Sequence, residues 1–230
     1  MAIIVSANEG GSYQPIEEGT YIALCYGLVD IGDVYSEKFD KAVPKFMILW
    51  ELVGAGTITV DGREYNRSVS NSYSKSLNPK SNLRKDLRAW RGREFTDEEL
   101  KRFDMVNILS APCQIQIINA TSNGKTYSNI AAIMNLPKGM PKPVHTQDVV
   151  HWDFEDNTIG DEEWNKIPEW LRGVIQNSET YQYITTNNTG HLSDKRLEEI
   201  SGYKSFQAWR ETHDDFPIME IGRASCMDRV

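Results

Sequence analysis

The chain has little of what usually announces a familiar chemistry. Its 230 residues include three cysteines, Cys25, Cys113 and Cys226, with no CxxC pair, which argues against a disulfide framework or a cysteine zinc site. Cys25 and Cys113 fall in apolar, strand-like surroundings and read as buried thiols of a reducing compartment. No apolar run approaches the roughly 20 residues that a membrane-spanning helix needs. The opening MAIIVSANEGG lacks a charged leader region, so the expected location is the cytoplasm, with no membrane partner. GxxxxGK[ST], GxSxG, HExxH and the dinucleotide glycine fingerprint do not occur. His145, His151 and Asp153 match no standard metal spacing and read as solvated side chains of a linker. No two carboxylates are placed to signal general acid and base roles. The expectation is a protein that is not an enzyme and uses no cofactor or metal.

What is present is an uneven charge. The chain carries 25 Lys and Arg against 33 Asp and Glu, a net of -8. Residues 1–147 hold 17 basic and 16 acidic side chains, whereas residues 148–230 hold 8 and 17. Within the near-neutral part, Lys75, Lys80, Arg84, Lys85, Arg88, Arg91 and Arg93 crowd into one short stretch with only Asp86 and Glu94 for company.

The first half reads as β-structure with a helical interruption. Gly19–Ile31 alternates Tyr21, Ala23, Cys25 and Val29 against Ile22, Leu24, Tyr26 and Leu28, with Gly27 marking a kink or bulge. Lys45–Val53 is nearly continuously apolar and reads as a central strand. Asp61-Gly62 predicts a hairpin turn between Thr57–Val60 and a strand over Glu64–Ser74. Ser81 can cap a helix through Arg91, with Leu83, Leu87 and Trp90 on one stripe and Gly92 at its end. Thr96-Asp97-Glu98-Glu99 is a capping box for a second helix, with Leu100 and Phe103 inward. Strands return at Cys113–Asn119 and Thr126–Leu136.

That element order predicts a mainly β (α+β) fold: an OB-like five-stranded barrel at about residues 15–140, with the helical insert between strands 3 and 4. The expected division is 1–143 for this domain and 144–230 for an acidic C-terminal arm with short helices. In that arm His145–Glu163 reads as a linker or wrapped segment. Helices are expected from Pro168 and over Leu192–Trp209.

On the first helix Arg84, Arg88 and Arg91 share a strip at i, i+4 and i+7, with Lys85 beside it. Guanidinium groups offer bidentate donors to phosphates, and a row of them binds a polyanion by releasing counterions. Arg84, Lys85, Arg88, Arg91 and Arg93 are the expected phosphate contacts, and Lys75 and Lys80 extend the track. Arg67 adjoins it, and Tyr73 or Tyr127 would stack bases, the combination single-strand binders use.

The stretches KSNLRKDLRAWRGREFTDEEL, GTYIALCYGLVDIG, NGKTYSNIAAIMNLPKGM and IPEWLRGVIQNSETY resemble a family of phage and prophage early-region proteins. The resemblance spans roughly residues 1–183. Members are regarded as single-stranded-DNA-binding or replication-associated, with an OB-like core. It implies a sequence-tolerant binder acting in replication or recombination in the host cell cytoplasm. Asp214, Asp215, Phe216, Pro217 and Ile218 have the make-up of the acidic-hydrophobic tip with which bacterial single-strand binders recruit replication proteins, although twelve residues follow it here. Self-assembly into a homo-oligomer stays open. The rival readings are a protein–protein adaptor, in which the basic helix meets an acidic partner, and a virion structural component.

Overall fold

The computed structural model describes residues 14–37 and 40–187. The expected helix at Leu192–Trp209 and the docking segment Asp214–Ile218 lie outside the described residues. Strands β1 (Gly19–Ser36) and β2 (Lys41–Val53) form one long antiparallel hairpin. Residues Ala23 to Asp33 of β1 are buried without a break, because the hairpin is covered on both faces. Between Cys25 and Gly27 the register slips by one residue. That bulge exchanges the faces downstream. Leu28 therefore joins Ala23 and Cys25, while Val29 joins Tyr26 and Ile31, the reverse of simple alternation. Gly27 is required there, since a Cβ would lie 2.6 Å from Leu49 Cδ1.

Strands β3 (Thr57–Val60) and β4 (Arg63–Asn66) make a separate hairpin, and β5 (Ser68–Ser74) pairs with β2. The single strand expected over Glu64–Ser74 is thus broken at Arg67, whose amide turns away to the Gly56 carbonyl at 3.2 Å. Helices α1 (Asn82–Arg91) and α2 (Asp97–Lys101) and a 3-10 turn at Met105–Ile108 follow. Strands β6 (Pro112–Ser122) and β7 (Lys125–Asn135) then return. The sheet order is β5-β2-β1-β6-β7, all antiparallel.

The expected barrel is not closed, because no ladder joins β5 to β7. Instead α1 packs on this side of the sheet, burying Leu83, Leu87 and Trp90. Tyr73 of β5 donates its hydroxyl to Asp86 at 2.9 Å, and Trp90 Nε1 donates to the Pro112 carbonyl at 3.0 Å.

The opposite face carries a second layer. Beyond residue 143, β8 (Val150–Trp152) pairs parallel with Gly27–Val29 of β1, alongside the stretch where β6 leaves off. Helices α3 (Glu162–Lys166), α4 (Glu169–Gln176) and α5 (Glu179–Asn187) complete the layer. Its Trp152, Phe154, Trp164, Ile167, Leu171, Ile175 and Tyr183 close over Tyr26, Val29, Ile31, Met47 and Leu49. Of the two readings of His145–Glu163, a linker or a wrapped segment, the packing fits the second, and Trp152 is 1% exposed. Thr180 Oγ1 accepts the Asp33 amide at 2.8 Å and donates to Asp33 Oδ2 at 3.2 Å. Burial pushes the Asp33 carboxyl up, with the Thr180 hydrogen bond opposing. Among the described residues no helix is long and apolar enough to cross a membrane.

Candidate nucleic-acid interface

The basic stretch folds as its local signals dictate. Ser81 Oγ accepts the Arg84 amide at 3.2 Å, satisfying one of the orphan donors of α1, and Gly92 ends the helix at φ 66°. Leu83, Leu87 and Trp90 turn into the core, with the Trp90 ring 5.7 Å from that of Trp50. The cations are left on the remaining faces.

They do not form one track. At the N-terminal end, Pro79, Lys80, Ser81, Asn82, Arg84, Lys85, Arg88 and Glu94 line an open cleft of about 520 Å³. Lys80 and Lys85 are exposed, and among the described residues their ammonium groups have no partner. Arg84 is half-buried and reaches only the Leu77 carbonyl, at 3.4 Å. Arg88 pairs with Glu94 at 2.9 Å, but both side chains are more than half exposed, so solvent screens the pair. Four cations thus face one carboxylate around this cleft.

At the C-terminal end the cations are spent on the fold. Arg91 is 14% exposed, lies 4.3 Å over the Phe95 ring and bonds Glu99. Arg93 reaches the same Glu99 at 2.7 and 3.0 Å. Arg93, the Thr96 amide of the capping box and Arg91 together hold the Glu99 carboxyl down at about 2. Lys75 is drawn to Asp30 at 2.6 Å. Arg67 is bound by the Gln14 and Pro15 carbonyls.

The expected stacking rings are placed differently. Tyr73 is 3% exposed and packs on Phe46, so its face is closed to a base. Burial, followed by the charge of Asp86, raises its hydroxyl pKa. Tyr127 is half-buried on β7 opposite Ala120 and lines no part of the cleft.

One cluster escaped the sequence reading. Glu51 is fully buried, and its Oε1 lies 2.5 Å from His145 Nδ1. Its Oε2 accepts from the Thr146 amide at 2.9 Å, the Thr146 hydroxyl at 2.7 Å and Asn66 at 3.1 Å. His145 Nε2 in turn lies 3.0 Å from Ser110 Oγ. Burial alone would raise the Glu51 carboxyl, but the hydrogen bonds from Thr146, His145 and Asn66 outweigh it and lower the pKa. His145 is therefore a fastened side chain, 20% exposed, rather than a solvated one. The connectivity is that of a serine–histidine–carboxylate relay. The amides of Ser110 and Ala111 donate to the Cys25 and Ile108 carbonyls, at 2.8 and 3.0 Å. The cluster is a clasp that ties residues 145–147 to β2 and β4. Its only sequence signal was an acid in an otherwise apolar strand. No group of three or more metal-ligating side chains occurs among the described residues.

No protein-family model matches the chain, and a search of curated proteins returns no match.

Proposed function

We propose that the protein binds single-stranded DNA through the cleft on α1, sequence-tolerantly, in phage-type replication or recombination. The observation that carries this reading is the cleft itself: Lys80, Arg84, Lys85 and Arg88 around an open volume, opposed among the described residues only by Glu94. Phosphate contacts from such a set supply affinity without sequence information. The strand order β5-β2-β1-β6-β7, with α1 directly after β5, the third of these strands in chain order, supports reading the sheet as an OB-like barrel left open between β5 and β7. The resemblance to phage early-region proteins supports the same ligand.

Fluorescence anisotropy of a labelled oligonucleotide of about 30 nucleotides, single- and double-stranded, tests it across a salt series. Preferential single-strand binding that weakens with salt supports the reading, and silence of the folded protein at low salt overturns it. The adaptor reading has one observation of its own. Ile58 and Val60 stand 46% and 49% exposed on the β3–β4 hairpin, an apolar surface suited to a protein partner. Binding of a protein with no response to oligonucleotides would favour it.

A further inference from the structure

We infer that the α1 cleft recognises the phosphate backbone alone, so that its ligand is a flexible polyphosphate strand whose bases contribute nothing. This rests on the nucleic-acid reading above and narrows it. Single-strand binders ordinarily combine cations with aromatic platforms, and stacking is what makes them sensitive to the bases. Here the two components are separated. Among the described residues no aromatic side chain lines the cleft. The rings nearest in sequence are turned inward: Tyr73 is 3%, Trp90 6% and Phe95 8% exposed. Each is also held from behind, Tyr73 by Asp86, Trp90 by the Pro112 carbonyl and Phe95 by the overlying Arg91. Freeing any of them would open the core. Tyr65, on the β3–β4 hairpin, lies beneath Arg63 and lines no part of the cleft. What the cleft offers is charge: Lys80, Arg84 and Lys85 without a carboxylate partner, and Arg88 sharing Glu94 across an exposed pair.

Three to four phosphate contacts on a single strand correspond to a slope of log affinity against log salt of roughly -2 to -3. The bases would be carried outside, which accounts for tolerance of any sequence.

The deciding experiment compares two labelled strands of equal length on the full chain, one of thymidine and one of abasic tetrahydrofuran spacers. The expected result is dissociation constants within about threefold, equal salt slopes, and displacement of both strands by inorganic polyphosphate. Lys80→Ala with Lys85→Ala should flatten both slopes equally, by about one unit or slightly more. An abasic strand bound tenfold or more weakly than thymidine, with the thymidine strand still bound, overturns this inference and leaves the nucleic-acid reading standing. If the thymidine strand itself fails to bind, both fall.

Discussion

The two faces of the central hairpin β1–β2 are covered by layers of opposite character. The layer bearing α1 and α2, together with the loop that leads to it, spans residues 75–108 and holds nine Lys and Arg against six Asp and Glu. The layer on the other face, residues 148–187, holds two against nine. Both seal apolar surface of the same two strands, so burial alone does not separate them. What differs is what each layer does with its polar side chains. The acidic layer is rich in buried rings, with Trp152 5.1 Å from Trp164 and 4.7 Å from Phe154. Those rings close this face of the sheet over Tyr26, Val29, Ile31, Met47 and Leu49. The basic layer spends Arg91 and Arg93 on Glu99 and leaves Lys80, Arg84 and Lys85 available.

Five variants break or sharpen this contrast, the largest effect first. Trp152→Ala in the acidic layer should cost about 3–5 kcal/mol, because it empties a fully enclosed ring site. Urea unfolding would read this. An unchanged midpoint would mean that the acidic layer is not part of the cooperative fold.

Glu51→Ala should cost about 3 kcal/mol, since His145, Thr146 and Asn66 lose a buried charged partner. The same clasp makes a pH prediction. A carboxyl whose native pKa is lowered stabilises the fold above its unfolded value near 4.5 and loses that contribution as pH falls through the native value. Glu99 behaves likewise between 4.5 and about 2. Thermal unfolding of the wild type should therefore decline below about pH 4.5, and Glu51→Ala should show a shallower decline. Parallel curves would sink the assignment of the clasp.

Reversing Lys80 and Lys85 to Glu should weaken oligonucleotide binding roughly tenfold or more at low salt while leaving the melting temperature nearly unchanged. Lys166→Glu, on the acidic layer, should leave affinity within about a factor of two. Equal losses from both would show that net charge, not the cleft, governs binding. The smallest effect is expected for Arg93→Ala. Its guanidinium already serves Glu99, so affinity should barely change, and a loss comparable to that of the lysine variants would restore the continuous track.

Much of the local structure is legible along the chain. The Ser81 cap, the apolar stripe of α1, the Thr96–Glu99 capping box and the Asp61-Gly62 turn each depend on residues within a turn of one another. Gly27 signalled the bulge, but which residues changed faces could not be read without knowing that one residue had slipped. The packed layer after residue 149 was hidden for another reason. Trp152, Phe154, Trp164, Leu171 and Tyr183 come from separate short elements, so no regular period links them. The site shows the same limit. The basic residues were plain to see, but their partners were not, because Asp30 lies 45 positions from Lys75 and Glu51 lies 94 from His145.

By itself, then, the amino-acid order determined where α1 starts and stops and where α2 starts, which stripe of α1 is apolar, and that positive charge gathers around it. These follow from backbone donors, side-chain geometry and periodicity over a few residues. Only the tertiary structure decided which cations remain available, that Tyr73 is closed to a base, and that the chain after residue 149 forms a second core. Ion pairing and burial depend on what distant segments bring within a few ångströms. No spacing along the chain encodes that proximity.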